Sequence, residues 1–226
     1  MLSASSVDSV VLFSGGLDST FNLVVTQERG ESPLALFIDY GQKAAISEDR
    51  ATGKICERLG VTRQVVSLPW YSEISTSSLT SKSQEPPTGS QVQIDSLETS
   101  HETAEKVWVP NRNGVLLSIA AAFAEALGAS KVVAGFNREE AQTFPDNSKE
   151  FLEAFNGSLV HSTRLGVRVV CHSIDFSKSE IVQEGKQRNL PFEWIWPCYF
   201  SGERPCGECE SCQRFHRALS LQGVVP

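Results

Sequence analysis

A glycine pair followed by small polar residues, Ser14-Gly15-Gly16-Leu17-Asp18-Ser19-Thr20, stands directly behind the apolar run Val10-Val11-Leu12-Phe13. Glycines let a backbone come close to an oxyanion. A helix that begins at such a turn aims unpaired N–H groups and the positive end of its dipole at the same point. The string therefore predicts a phosphate cradle at an exposed turn. The plainer reading is a tight strand-to-helix connection with Asp18 or Ser19 as N-cap. A second cluster lies near the other end of the chain. Cys206, Cys209 and Cys212 form a doubled C-x-x-C, and Cys198 precedes it. Thiolates at this spacing can close a tetrahedral site around zinc, and a full Cys₄ set leaves no open position, so the metal is expected to be structural. An iron–sulfur cluster is the competing occupant. In ferredoxin-type runs, however, the fourth cysteine follows the run, whereas here it comes first. His216 is a possible substitute ligand but is expected on a flanking helix, 213–221. Cys56 and Cys171 read as core thiols.

The loop lacks the Gly-Lys-Ser/Thr of a Walker sequence and the G-x-G-x-x-G of a dinucleotide fold. It resembles the PP-loop of the ATP pyrophosphatases. Those enzymes cleave ATP between the α and β phosphates and use the AMP half to activate a carboxylate or carbonyl oxygen. The resemblance implies that Ser14, Gly15, Gly16, Asp18, Ser19 and Thr20 hold pyrophosphate and its Mg²⁺. The implied ATP-binding stretch also takes in Phe13, Leu17, Phe21, Asn22 and Leu23.

These residues need a scaffold. Apolar runs at 9–13, 33–39, 63–68, 131–136 and 167–174 read as strands. Stretches 21–28, 43–59, 115–127, 149–164 and 177–188 read as helices. Repeated βα units with continuously apolar strands predict an α/β class fold, a doubly wound parallel five-stranded sheet covered on both faces. Ligands of such sheets bind beyond the carboxyl ends of the strands, at the switch point. The Ser14 loop and the turns at 39–42 and 135–137 all fall there. Residues 1–190 are expected to form the nucleotide-binding domain and 191–226 a zinc-binding C-terminal appendage. Segment 70–107 is rich in Ser, Thr, Gln and Glu and contains Pro86-Pro87. It is too long for an ordinary connection and reads as a flexible lid or as disorder.

A chain of 226 residues can bury one good core. Its formal net charge of −7 argues against a broad nucleic-acid surface. No basic, apolar leader is visible at 1–8. The most apolar stretch, 115–127, carries Ser118 and Glu125 and is too short to span a bilayer. Clustered thiols without an export signal point to a reducing cytoplasm.

Further strings narrow the resemblance. Tyr40-Gly41-Gln42 follows the second strand. Val109-Pro110-Asn111-Arg112-Asn113 follows the long segment. Gly135-Phe136-Asn137 and Phe144-Pro145-Asp146 follow the fourth strand. Together with the PP-loop and the cysteines, in this order, they resemble the 7-cyano-7-deazaguanine synthase family of queuosine and archaeosine biosynthesis over nearly the whole chain. The resemblance implies an adenine nucleotide alpha-hydrolase-like fold, ATP and Mg²⁺ at the loop, Zn²⁺ at the cysteines, and a cytoplasmic homodimer. It implies an ATP-dependent carbon–nitrogen ligase that adenylates 7-carboxy-7-deazaguanine, converts it with ammonia to an amide, and activates and removes the amide oxygen to leave a nitrile. No glutaminase domain is present, so free ammonia is the expected donor. Asp18, Ser14 and Arg112 are the implied catalytic residues. Tyr40, Gln42, Arg112, Asn113, Asn137, Glu140, Phe144 and Asp146 are the implied substrate contacts.

The chain departs from the family pattern at Lys43-Ala44, where Arg-His is common, at Asn111 for a glycine, at Phe144 for a tyrosine, and at Glu139 or Glu140 for an aspartate. Local alternatives also stand. Asn113 can cap a helix beginning at Gly114, Asp146 can cap the helix near Lys149, Arg112 can be a solvated loop residue, and Phe144 can be core. Rival activities are another PP-loop ligase (amidation as in NAD synthetase, or tRNA thiolation), transfer of the deazaguanine to a protein amine, and a non-catalytic nucleotide sensor.

Overall fold

A computed structural model of the protein describes residues 7–225. Residues 1–6, on which the reading of no leader partly rests, lie outside the described residues. The strands are β1 (Ser9–Leu12), β2 (Pro33–Asp39), β3 (Thr62–Ser67), β4 (Lys131–Val133) and β5 (Arg168–Val170), all parallel in the order β3-β2-β1-β4-β5. The helices are α1 (Leu17–Glu28), α2 (Ala45–Leu59), α3 (Pro69–Ile74), α4 (Leu97–Val107), α5 (Arg112–Leu127), α6 (Lys149–Ser162), α7 (Lys178–Gln187) and α8 (Glu210–Leu221).

Alternate residues of each central strand face opposite ways. Val10, Leu34, Leu36 and Ile38 pack against Leu117, Ala120, Ala121 and Ala124 of α5 and Leu152 and Leu159 of α6. Val11, Ala35 and Val133 pack the other way, on Leu23 of α1 and on Ile55 and Cys56 of α2. The sheet is therefore doubly wound. The chain builds β2 and β3 on one side of β1, then crosses to build β4 and β5 on the other. This places the switch point between β1 and β4.

Several boundaries differ from the sequence reading. α1 begins at Leu17, with Gly16 as its N-cap and no side chain capping it. Asp18, Ser19 and Thr20 thus lie inside the helix rather than capping it or preceding it. α5 begins at Arg112, so Asn113 is not its cap; Asn111 is, in a left-handed conformation (φ 51°). Asparagine tolerates that region better than most residues, which accounts for its standing in for glycine. Ser148 caps α6 by accepting from Phe151 N–H at 3.1 Å, so Asp146 does not. β4 and β5 are only three residues each. The chain leaves β4 early because Gly135 passes close to α1. A Cβ there would stand 2.8 Å from Ser19 N, so no larger residue fits without movement.

The C-terminal region 191–226 continues the core within its described residues. Phe192, Ile195, Phe215, Ala218 and Leu219 share one buried cluster with Leu17, Phe21 and Val24 of α1 and with Ile181 and Val182 of α7. Segment 70–107 holds α3, α4 and a short 3₁₀ turn, and it buries Tyr71, Leu79, Val92, Ala104 and Val107. The segment is therefore ordered and packed on the domain rather than disordered. Much of its buried face is made of small hydroxyl residues, Ser100 and Thr103 among them, which hydropathy does not register. No helix of the described residues is long and apolar enough to cross a membrane.

Candidate active site

The carboxyl ends of β1, β2 and β4 open into a cavity of about 270 Å³. Phe13, Ser14, Gly16, Leu17, Asp18 and Ser19 line it from the loop. Gly15 turns the loop with φ 76°, and its carbonyl accepts from Trp196 N–H at 2.9 Å. Ser19 Oγ and Thr20 Oγ1 both donate to the Gly16 carbonyl, at 3.2 and 2.8 Å. These bonds brace the turn and leave the uncapped N–H groups of the first helical turn facing the cavity, the geometry of an anion site. Thr20, Phe21, Asn22 and Leu23 do not line the cavity. Phe21 and Leu23 are core. Asn22 donates to Ser173 Oγ at 2.6 Å and accepts from His172 N–H at 2.7 Å, tying α1 to the segment after β5.

Asp18 is not at an exposed turn, because its side chain is only 13% exposed. Lys178, the first residue of α7, bridges it to Glu140, with Nζ 2.9 Å from Asp18 Oδ2 and 2.7 Å from Glu140 Oε1. Asn137, fully buried, donates to Asp18 Oδ1 at 3.2 Å and accepts from Glu140 N–H at 2.9 Å. Burial pushes the Asp18 carboxyl above its ordinary range, although Lys178 opposes it. Burial also acts to raise Glu140, but there Lys178 prevails and holds it low. Sequence reasoning missed Lys178. Its only local sign is the capping box between Ser177 and Glu180 around it. Of the two candidate acids after Asn137, Glu140 faces the site. Glu139 accepts from Lys178 N–H at 2.9 Å and from Arg217 at 3.3 Å, and so serves as a joint.

The other wall carries the remaining implied substrate contacts. Arg112 donates to Tyr40 Oη at 3.5 Å and to Asn113 Oδ1 at 3.3 Å. It lines the cavity with Asp146, so it is no free loop residue. Burial disfavours its charge, but Tyr40 and Asp146 outweigh burial and the guanidinium stays protonated. Asn113 donates to the Asp146 carbonyl at 3.2 Å and so positions that turn. Burial raises the Asp146 carboxyl and Arg112 opposes the rise. Phe144 lies parallel to Trp108, at 7° with centroids 6.3 Å apart, and both border the cavity. Gln42 is fully engaged: its oxygen accepts from Tyr40 N–H at 2.9 Å, and its nitrogen donates to Ile38 O at 3.3 Å and to Glu48 at 2.7 Å. It shapes the turn and fixes Glu48, a further cavity-lining acid, which sequence reasoning passed over. Lys43 pairs with Glu85 at 3.1 Å, stitching the same turn to segment 70–107.

Cys198, Cys206, Cys209 and Cys212 place their sulfurs within 4.8 Å of one another, and all six cysteines of the chain are free thiols. Metal–sulfur bonds of about 2.3 Å in a tetrahedron put sulfurs about 3.8 Å apart, so the four fit a metal with little adjustment. Backbone N–H groups of Phe200 and Cys206 donate to Cys198 Sγ, and those of Glu208 and Cys209 to Cys206 Sγ, at 3.3–3.4 Å. Such donors stabilise thiolate ligands. His216 lies on α8 and is not among the four. Segment 70–107 leans on this centre. Thr88 pairs with Cys209, Gly89 N–H donates to Glu208 O at 3.1 Å, Thr103 donates to Glu210 at 2.6 Å, and Arg214 donates to Ser100 at 3.0 Å.

Comparison with known proteins places the chain among relatives of one name. A family model described as queuosine biosynthesis protein QueC matches residues 8–223. A protein of Bdellovibrio bacteriovorus named 7-cyano-7-deazaguanine synthase is 52% identical over 95% of this chain and 94% of its own. Proteins of the same name from Pelotomaculum thermopropionicum and Methanosarcina mazei are 46% and 42% identical, each over 96% of this chain and 98% and 95% of their own. Among solved structures, an NMN synthetase from Francisella tularensis is similar with a TM-score of 0.51, at 14% identity over 98% of this chain and 79% of that one. A 4-thiouridine synthetase in an RNA complex with bound ATP has a TM-score of 0.54, at 17% identity over 95% of this chain and 52% of that one. These two share the fold.

Proposed function

The chain belongs to the family of queuosine biosynthesis protein QueC, and on that premise we propose that it is an ATP-dependent ligase converting 7-carboxy-7-deazaguanine and ammonia to 7-cyano-7-deazaguanine. The observation that carries the reading is one cavity with a phosphate cradle at one end and Arg112, Asp146 and an aromatic wall at the other. A carboxylate is a poor electrophile until its oxygen becomes a leaving group. ATP bound with Mg²⁺ supplies that group as AMP, first on the carboxylate and then on the amide oxygen. What the protein contributes is position and charge. The N–H groups at the start of α1 and Ser14 receive the phosphates. Asp18, steadied by Asn137, is the donor suited to Mg²⁺, and Lys178 balances the charge of Asp18 and Glu140. Arg112 lies where it can neutralise the substrate carboxylate or the phosphate that replaces it. The decisive experiment is mass spectrometry of the products from ATP, ammonia and 7-carboxy-7-deazaguanine. The nitrile, with AMP and pyrophosphate, is expected. ATP binding with no carboxylate-dependent pyrophosphate release would point to a sensor instead.

Asp146 reads the base. The ring offers adjacent donors at N1 and the 2-amino group, and one carboxylate can accept from both. An unpaired buried donor costs about 1–3 kcal/mol. Asp146→Asn keeps the shape but turns half of the acceptor into a donor. It is expected to weaken the deazaguanine about 10–100-fold and to leave ATP affinity unchanged. Titrations of both ligands by calorimetry check this. The opposite pattern assigns Asp146 to the nucleotide site.

Segment 70–107 serves as the lid. Leu79 and Val107 form part of the cavity wall, so closing over bound substrate would exclude water from the activated carboxylate. Limited proteolysis is expected to cut this segment more slowly with ATP and substrate present; equal rates make it a passive cover. The four cysteines hold Zn²⁺ in a structural role. A homodimer is supported by the edge strand β3, where Val65 is exposed, and by the exposed Trp70 and Ile74 of the following helix α3. The cytoplasm, with its reduced thiols, is the compartment that suits the cysteine set.

A further inference from the structure

Four acids line the cavity: Asp18, Glu48, Glu140 and Asp146. Lys178 satisfies Asp18 and Glu140. Among the described residues no lysine, arginine or histidine nitrogen stands within salt-bridge distance of the other two; Glu48 accepts from Gln42, and Asp146 accepts from Asn147 with backbone N–H groups of its own turn and of Asn113 lowering it. Asp146 has the donor edge of the base to receive. Glu48 has no such partner in the reaction as described so far, yet it is held firmly. It sits in the first turn of α2, and its Oε2 accepts from Gln42 Nε2 at 2.7 Å. Gln42 in turn is locked by Tyr40 N–H and the Ile38 carbonyl. The second oxygen of Glu48 accepts from no protein donor among the described residues. A desolvated carboxylate without a cation is costly unless it binds one or takes up a proton.

We propose that Glu48 receives the incoming ammonium ion and removes a proton from it, so that ammonia attacks the adenylated carboxylate. The proposal rests on the amidation reading above. At neutral pH ammonia in solution is almost entirely ammonium, which has no lone pair to attack with. Glu48 takes one proton and frees the nitrogen lone pair. The C–N bond then forms at the acyl carbon and the C–O bond to AMP breaks, with its electron pair leaving on the phosphate. The surplus proton on nitrogen departs with that phosphate, and Glu48 returns its own proton to water. No oxidant, reductant or further reactant is needed.

The surroundings suit the task. Burial raises the Glu48 carboxyl to about 7, against the opposing influence of the Gln42 hydrogen bond and of Arg112 on α5, and with help from Asp39 at the end of β2. Tyr40, the remaining titratable neighbour, is itself raised by burial and stays neutral. An acid raised toward neutrality in this way is matched to proton transfer.

Glu48→Gln keeps an oxygen for Gln42 but cannot take the proton. Three rates separate its role from a structural one: carboxylate-dependent ATP–pyrophosphate exchange, amide formation from ammonium as a function of pH, and hydroxamate formation from hydroxylamine, which is already neutral at neutral pH. In Glu48→Gln, amide formation at neutral pH is expected to fall at least about 10²-fold relative to exchange. The deficit should shrink as rising pH supplies free ammonia, hydroxamate formation should stay within about threefold of wild type, and Glu48→Asp should recover part of the loss. If amide and hydroxamate fall together, or if the pH profiles of wild type and Glu48→Gln run parallel, Glu48 only shapes the turn and the assignment is wrong. A wild-type protein without carboxylate-dependent exchange overturns the amidation reading itself, and this inference with it.

Discussion

Asp18→Ala is expected to lower carboxylate-dependent pyrophosphate release by about 10²–10³-fold or more, the scale seen when one preorganised charge-stabilising group is removed from an active site. The structure explains why the loss should be chemical and not a collapse of the fold. Breaking a buried ion pair usually strands the surviving charge, at a cost of about 3–5 kcal/mol. Here Lys178 retains Glu140 at 2.7 Å. Asn137 loses one acceptor but keeps Glu140 N–H. Asp18→Asn is milder still, since its amide oxygen can go on accepting from Asn137. Both variants should melt within several degrees of wild type while losing turnover. Asp175→Ala removes an exposed carboxylate paired with Lys149 and serves as the control, because an exposed pair contributes little. Turnover preserved in Asp18→Ala would remove the residue from the phosphate and Mg²⁺ site and with it the PP-loop assignment.

The second large effect concerns the metal. Freshly purified protein is expected to hold about one zinc per chain, and chelation should destabilise it strongly. Structural zinc contributes about 10–16 kcal/mol in small zinc peptides. Even about 4 kcal/mol of that, lost on chelation or in Cys209→Ser, would move the melting midpoint of a chain of this length by about 8–16 °C. Cys209 is fully buried, caps α8 and pairs with Thr88. The damage should therefore reach segment 70–107, which rests on Glu208, Glu210 and Arg214. Hydrogen exchange should show the start of α8 and the 88–103 stretch loosening together. The remaining core contacts of Phe215, Ala218 and Leu219 should hold the end of α8 in place longer. Cys171→Ser, which alters a thiol hydrogen-bonded to Phe136 O rather than a ligand, should leave the zinc content unchanged. Elemental analysis that finds iron, or no metal, contradicts the zinc assignment.

What the sequence by itself determined is what neighbouring residues decide among themselves. Short continuous apolar runs alternating with helical spacing read as strands of a parallel sheet, so the doubly wound architecture was legible from β1 through β5, although the edge strand β3 stays largely exposed. The glycine turn behind β1 and the C-x-x-C-x-x-C run are patterns of a few neighbouring residues; the first lines the cavity at the sheet edge, and the second gathers with Cys198 into one cluster of sulfurs. Tertiary structure decided the rest. Lys178 and Asp18 are 160 residues apart, and they meet because β4 returns to the far side of β1, bringing the turns after β4 and β5 to the start of α1. No local pattern states that strand order. Glu48 looks like one more helix-surface acid until Gln42 and Arg112 close around it. Asp146 has no capping role, because Ser148 takes it and Asp146 lines the cavity instead. Disorder was one reading of segment 70–107 because hydropathy counts Ser100 and Thr103 as polar. In the fold those hydroxyls meet Arg214 and Glu210, and such pairings between distant segments exist only once the chain has brought both partners together.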